Sequence, residues 1–460
     1  MRPPPSSNNK KHAAAPEGIT AISVRGYKSL YDECRLEIRP LTILAGANSS
    51  GKSSAMQPLL LLKQTLEAGY DPGPLLLNGP NVRLTSVEQL FSRVAEKKNS
   101  AEFAIKLEIE KTRSITSSFK KPLKKNFDLA ETVYRDGSGI TRLRTEKKLE
   151  KITPETLKLL LGASHEALAM EDRENFDWRI IRQKCFLGVE LFYQGEKIGL
   201  RLPIFSDPFE LHIRKLIHLP GLRGNPERNY KTTAIGTEFP GTFEHYVASV
   251  VHHWQVSEDN RLRKMSDALA TLGLTWKVEA KQVDDTQVEL RVGRLPKLAK
   301  SGAMDMVSIA DVGFGISQTL PVLVALLTAE PGQMVYLEQP EIHLHPRAQV
   351  ALAQILADAA NRGVRVVAET HSSLLLLGVQ SLVAEGKLTP DKLKLHWFKR
   401  RGDGVTEVTS ADLDEDGAFG DWPEDFADVA LETESRYIEA AGLRHRKNRH
   451  AKKSFATSDH

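Results

Sequence analysis

The chain has 460 residues, with 63 Lys and Arg against 59 Asp and Glu, for a net charge of +4. That length predicts roughly two to three domains with a sizeable core, and the near balance of charge excludes binding of nucleic acid through bulk charge, leaving only local basic clusters. Cys34 and Cys185 are the only cysteines, too few for a zinc site or a disulfide framework, which fits a reducing compartment.

Met1 to Pro16 is rich in Pro, Ser, Asn, Lys and Ala and lacks the order of a signal peptide, so 1–17 reads as a disordered leader. Ile19 to Val24 predicts a strand that runs into Arg25-Gly26-Tyr27-Lys28-Ser29-Leu30, and Leu36 to Ile38 an alternating partner before Pro40. The apolar run Leu41 to Ala45 delivers Gly46-Ala47-Asn48-Ser49-Ser50-Gly51-Lys52-Ser53, a GxxxxGK[ST] phosphate loop, directly ahead of a helical pattern from Ser54 to Glu67. Its glycines let backbone N–H groups curl around an oxyanion at a helix N-terminus that carries partial positive charge. Lys52 is expected on the terminal phosphates of a nucleotide, Ser53 on Mg²⁺, and Gly46 to Ser54 around the phosphates as a whole. An ordinary glycine-rich turn is the alternative, and the strand before and helix after the loop argue against it. Pro58 removes one helical hydrogen bond and predicts a kink. Asn78 to Gln89 reads as loop, and Phe103, Ile105, Leu107 and Ile109 alternate with polar residues as a half-buried strand, so 18–110 is a β-rich first half.

Residues 111–300 differ in texture and predict an inserted mixed α+β region. Basic runs lie at Lys120-Lys121-Pro122-Leu123-Lys124-Lys125 and Arg142 to Lys151, and a capped helix opens at Thr153-Pro154-Glu155. Hairpins are expected at Asp136-Gly137, at Asp284-Asp285, and between Phe186–Tyr193 and Ile198–Leu202 through Gln194 to Lys197. Glu244 to Leu272 reads as one helix stopped by Gly273, and no sustained heptad predicts a long coiled-coil arm.

From 301 to 400 polar tips follow apolar elements. Asp311-Val312-Gly313-Phe314-Gly315-Ile316-Ser317-Gln318 is a glycine-serine loop feeding an apolar helix, Thr319 to Leu327. Met334 to Glu338 is a strand ending in an acid, followed by Gln339-Pro340-Glu341-Ile342-His343-Leu344-His345-Pro346. A helix from Arg347 to Ala360 stops at Gly363, and the strand Val364 to Ala368 ends in Glu369-Thr370-His371-Ser372. Strand, helix, strand with polar tips is the α/β grammar of a nucleotide site. Glu338 suits a carboxylate that holds Mg²⁺ or its water with Ser53. His371, also at a strand tip, can face the γ-phosphate. His343 and His345 lack a matching ligand set at zinc spacing.

Arg25 to Leu30, Gly46 to Ser53, Val312 to Gln318, Leu337 to Pro346 and Glu369 to Ser372 together resemble the ABC-type P-loop ATPase heads of the RecF, SMC and OLD-like group, known in bacteria as AAA family ATPases. The subgroup it most resembles has a C-terminal domain of unknown function with a Gly-x-x-x-Asp-Trp-Pro-like motif, here Gly417-Ala418-Phe419-Gly420-Asp421-Trp422-Pro423 followed by Glu424-Asp425-Phe426. The resemblance covers 18–110 and 215–436, and hardly reaches 111–214. It implies an α/β head with a mixed β-sheet and flanking helices, its halves at 18–110 and 301–400, then a small domain over 401–440 and a basic tail over 441–460.

By the same resemblance the loop Gly313, Phe314, Gly315, Ser317, Gln318 is a signature loop reaching the γ-phosphate of ATP held by a second protomer, so that two ATPs are sandwiched in a homodimer. His343 to Pro346 falls where the family has a dimer-contacting loop, His371 where it has a switch histidine, and Tyr27 and Lys28 where relatives contact the base or ribose. Arg223 and Arg228, in Leu219-Pro220-Gly221-Leu222-Arg223-Gly224-Asn225-Pro226-Glu227-Arg228, resemble a motif of the subgroup without a role derivable from sequence.

One departure bears on chemistry. The position after Glu338, where such heads carry a second acid that polarises water, is Gln339. An amide cannot accept the proton, yet its carbonyl can orient water, so slow hydrolysis is expected, with Lys52, Glu338, Gln339 and His371 as the catalytic set and ATP and Mg²⁺ as ligands. About 60 residues follow Lys399, too few for the nuclease domain of OLD proteins. The tail Arg444 to Lys453 suits phosphate backbones, although such runs are commonly solvated. The reading is a cytoplasmic ATP-driven dimeric switch in a DNA-linked process, either repair or phage defence, acting on DNA or on a separate effector protein. No apolar run suits a membrane span. The alternative is an ATP-sensing scaffold with negligible turnover that recruits a nuclease or toxin.

Overall fold

The computed structural model describes residues 17–94, 100–121, 127–137, 139–145, 176–193, 196–201, 206–295, 305–420, 435–436 and 438–439. They fall in two compact units, Met1–Ala418 and Phe419–His460. In the second, Ser435, Arg436, Ile438 and Glu439 are helical and exposed. The first unit contains everything that follows.

Its site-bearing sheet has the strand order Ile217–Leu219, Met334–Glu338, Arg365–Thr370, Leu41–Gly46, Leu393–Arg400, Thr406–Ala411. The first five strands run parallel and the last antiparallel. Strands covered on both faces need apolar residues throughout, and Leu41–Gly46 and Arg365–Thr370 are buried along their whole length. Pairing of Glu338 with Glu369 and of Thr370 with Ala45 brings three strand tips level. Ligands of open α/β sheets bind at such carboxyl ends.

A second, antiparallel sheet runs Cys34–Glu37, Ile19–Arg25, Glu102–Ile109, Arg113–Lys120, Asp128–Asp136, Gly139–Arg144. The helix Lys52–Glu67 is held between the two sheets: Leu59, Leu60, Leu61 and Leu62 share one buried cluster with Ile22, Val24 and Ile105 of the antiparallel sheet and with Tyr336, Val367 and Phe398 of the parallel one. Each such leucine contributes about 1.5–3 kcal/mol on burial. The helix is continuous through Pro58.

The mixed α/β architecture expected from sequence is the one observed, with boundaries that differ. Residue 110 lies inside the antiparallel sheet, because Arg113–Lys120 pairs with Glu102–Ile109 along its whole length. Gln287–Gly293 pairs with Met306–Ser308 across residue 300, and Thr406–Ala411 extends the parallel sheet beyond residue 400. Strand pairing joins segments whose compositions differ, which composition alone does not register. The expected single helix over 244–272 is two, Val247–Val256 and Asn260–Thr271, because Glu258 takes φ 53° and Asp259 caps the second through the backbone N–H of Arg261. Gly273, at φ 71°, ends it as expected. The hairpins at Asp136 and Asp284 form, and Phe186–Tyr193 pairs with Glu196–Arg201. The leader, the basic runs beyond Lys121 and Thr145, the helix at Thr153, the Asp421-Trp422-Pro423 motif and the basic tail lie outside the described residues. No helix among the described residues is long and apolar enough to cross a membrane.

Candidate nucleotide site

The phosphate loop joins the strand Leu41–Gly46 to the helix Lys52–Glu67, as the sequence predicts. Two of its glycines are required by geometry. Gly46 has φ 142°, and a Cβ there would stand 2.3 Å from the Phe398 carbonyl oxygen; Gly51 has φ 109°, and a Cβ there would stand 2.4 Å from Thr406 Oγ1. Ser49 adopts φ 59° without being glycine. Ala47, Asn48 and Ser49 are exposed, whereas Ser50 and Lys52 are buried. Lys52 Nζ donates to the carbonyls of Gly46 at 2.9 Å and Ala47 at 2.8 Å, so its charge sits within the loop. Burial lowers its pKa, and the Glu369 and Glu341 carboxylates oppose that shift.

Ser53 Oγ donates to both carboxylate oxygens of Glu369, at 2.9 and 3.0 Å, and Tyr336 Oη donates to Oε2 at 2.9 Å. Sequence reading pairs Ser53 with Glu338, whereas the structure places Glu369 against it, because the Arg365–Thr370 strand lies between the loop strand and the Met334–Glu338 strand. Glu338 turns the other way: Oε1 is 3.0 Å from His218 Nε2, and Oε2 accepts the Gly221 N–H at 3.3 Å. Asn81 Nδ2 lies 3.0 Å from His218 Nδ1 and 3.0 Å from the Gly241 carbonyl. With the amide donating to Nδ1, His218 carries its proton on Nε2, toward Glu338. Burial, and then the nearby Glu338 charge, raise the Glu369 pKa against the hydrogen bonds from Ser53 and Tyr336 and the charge of Lys52.

Gln339 sits at φ 46° and His343 at φ 65°, left-handed conformations that cost about 1–3 kcal/mol each outside glycine. The Gln339 N–H donates to the Glu369 carbonyl at 2.8 Å. Glu341 is buried; its Oε1 accepts from Thr370 Oγ1 at 2.6 Å and from the His371 N–H at 3.0 Å, fixing the turn that presents His371. Burial, then the Lys52 charge, lower the His371 pKa, against a hydrogen bond to the Gly46 backbone. Two cavities meet here. One of about 350 Å³ is lined by Ser50 to Ser54, Glu369 and Arg400, the other of about 420 Å³ by Glu341, His343 and Gln349, and both include Asn48, Gln339 and His371.

Gly313 caps the helix Phe314–Thr328. Gly313 and Phe314 are exposed and Gly315 half-buried, while Ser317 and Gln318 are buried. Ser317 Oγ donates to the Phe314 carbonyl, and Gln318 Nε2 to the Gly224 carbonyl at 2.9 Å. None of these five residues lines the phosphate-loop cavity of its own chain. Phe314 and His343 approach with ring centroids 5.8 Å apart, and His345 Nδ1 accepts from the Arg347 N–H at the head of the next helix. Tyr27 is buried, and its hydroxyl and Lys28 Nζ both donate to Gln57 on the loop helix. His218 escaped sequence reading because nothing around Ile217–Leu219 marks it as polar chemistry. Glu369 was visible at a strand tip, but its pairing with Ser53 depends on strand order.

Residues 18–177 match the family model described as AAA ATPase domain, and residues 261–377 match that described as AAA domain, putative AbiEii toxin, Type IV TA system. No curated protein matches the chain. Similar solved structures include an Smc head domain with a coiled coil and joint derived from Pyrococcus yayanosii, 10% identical, covering 87% of this chain and 98% of that chain at a TM-score of 0.46. Another is the Smc head domain with an extended coiled coil, derived from Pyrococcus furiosus and bound to the C-terminal domain of ScpA, 10% identical, covering 92% and 99% at 0.42. A third is the SMC head domain from Thermotoga maritima, 9% identical, covering 85% and 98% at 0.39. Both family matches fall on AAA domains, and with the loop in its strand–loop–helix setting they support a nucleotide-binding ATPase.

Proposed function

We propose that the chain binds ATP at Gly46–Ser54, hydrolyses it slowly, and uses the cycle as a dimeric switch in which Gly313, Phe314 and Gly315 of one copy complete the site of another. The observation that carries this reading is the meeting of Lys52, Ser53 and Glu369, with Glu338 alongside, at the carboxyl ends of neighbouring parallel strands. The exposure of Gly313 and Phe314 at the open end of their helix supports the contribution from a second copy.

Hydroxyl and carboxylate oxygens form a hard donor set that fits Mg²⁺, and no group of three or more His, Cys, Asp or Glu side chains among the described residues offers a different metal site. Ser53 and Glu369 would hold the ion, with Glu338 in the adjoining position. When bound, Mg²⁺ neutralises charge on the phosphate oxygens. Lys52 exchanges its loop carbonyls for phosphate oxygens. His371, which lines both cavities, offers a hydrogen bond there, and Gln339 orients water through its carbonyl without taking the proton, which makes turnover slow.

The switch acts in a DNA-linked process, repair or defence, on DNA or through a separate effector. The toxin–antitoxin wording of the second family match is compatible with defence. The second reading, a scaffold that senses ATP with negligible turnover, is favoured by the amide at 339. Phosphate release by wild type and Lys52→Ala, with and without DNA, separates the two. Release above the Lys52→Ala background supports the ATPase, and its absence under every condition leaves the scaffold.

A further inference from the structure

We propose that Arg223 is a positioning residue that couples the helix Phe314–Thr328 to the acidic strand tip, so that movement of one element reaches the other through its guanidinium and the loop that carries it. This rests on the nucleotide-site reading above.

Arg223 is 6% exposed, and among the described residues no carboxylate is hydrogen-bonded to it. Buried arginines are ordinarily paired with acids. Here Nη1 donates to the Gln318 carbonyl at 3.1 Å and Nη2 to the carbonyls of Glu338 at 2.9 Å and Gln339 at 3.4 Å. One planar fork thus joins the helix behind Gly313 to Glu338, beside the proposed ion position, and to Gln339, the residue proposed to orient water. The surrounding loop repeats the connection. Gln318 Nε2 returns a hydrogen bond to the Gly224 carbonyl, the Gly221 N–H reaches Glu338 Oε2, and Arg228 forms a two-pronged ion pair with Asp311, two residues before Gly313, at 2.7 and 3.1 Å. A guanidinium fixes the separation of the carbonyls it bridges, whereas an ammonium on a flexible stem does not. Contact of a second copy with Gly313 and Phe314 would therefore be felt at Glu338 and Gln339, which lie on a different element more than ten residues further along the chain.

Hydrogen exchange on the full chain, with and without ATP and Mg²⁺, tests the coupling in wild type, Arg223→Lys and Arg223→Gln. Wild type should gain protection at 46–54 and change exchange at 313–321. Both variants should keep the first response and lose the second; Arg223→Lys should hold ATP within about threefold of wild type while phosphate release per bound ATP falls about tenfold or more, as expected for a misplaced catalytic group. A normal response at 313–321 in Arg223→Lys, or turnover that falls only in proportion to ATP affinity, overturns the coupling. If Arg223→Lys fails to fold because it leaves a buried ammonium, Arg223→Gln decides the question, since it buries no charge and its shorter amide cannot span the carbonyls of Gln318 and Glu338 together. Protection at 46–54 without any change at 313–321 in wild type overturns the coupling alone. Absence of protection at 46–54 overturns the nucleotide site and the coupling with it.

Discussion

Ser53 Oγ lies 2.9 and 3.0 Å from the two carboxylate oxygens of Glu369, a contact between the first turn of the helix Lys52–Glu67 and the carboxyl end of the strand Arg365–Thr370, 316 positions apart in the chain. The hydroxyl that follows the loop lysine therefore has an acid waiting opposite it.

Glu369→Gln tests that contact directly. The amide keeps the shape and removes the charge, so the Mg²⁺-dependent part of ATP binding should weaken by about tenfold, matching the loss of one charge-assisted interaction of about 1.4 kcal/mol, while binding without Mg²⁺ is preserved. Calorimetric titration with and without the ion measures both. An unchanged Mg²⁺ effect would remove Glu369 from the metal site.

Gln339→Glu introduces a group able to accept a proton in the wall of the phosphate-loop cavity. Phosphate release should rise about tenfold to a hundredfold, toward the range of a positioned general base. A wild type that already turns over quickly, and a slower variant, would refute the role assigned to Gln339.

Gly46→Ala places a methyl 2.3 Å from the Phe398 carbonyl oxygen at a left-handed-side φ of 142°. Backbone must move, which should cost about 1–3 kcal/mol of stability and abolish ATP binding. Gly402→Ala, where nothing lies within 4 Å, is the control and should leave both unchanged. Chemical unfolding and nucleotide titration read the two effects.

His396 is buried on the strand beside the loop strand, with Nε2 2.9 Å from the Glu37 carbonyl and Nδ1 2.7 Å from Ser410 Oγ. Burial pulls its pKa down from 6.5 to about 4. The unfolded chain therefore binds the proton first on acidification. The stabilising effect of a neutral His396 is complete above pH 6.5 and is lost as pH falls through about 4, an effect on the order of 3 kcal/mol. Unfolding of wild type between pH 7.5 and 4 should show this loss, and His396→Asn should flatten that part of the curve. Equal slopes would mean that other groups dominate the acid response.

Contiguous features were legible from sequence. The strand Leu41–Gly46, the loop and its helix follow one another without interruption, so local patterning and glycine placement determine them, and the acid-tipped strand and the strand that leads to His371 were read for the same reason. The two-helix split at Asp259 was written in a cap that a longer apolar periodicity obscured. What only the tertiary structure decided is which tips face each other. Sheet order inserts the Arg365–Thr370 strand between the loop strand and the Glu338 strand, giving Ser53 to Glu369 and leaving Glu338 to His218. Arg223 shows the same limit: its donors reach carbonyls 95 and 115 residues away, and backbone carbonyls carry no mark in the amino-acid sequence. Local patterns set which residues stand at the ends of strands, and the burial of apolar faces on both sides of a parallel sheet sets which ends become neighbours.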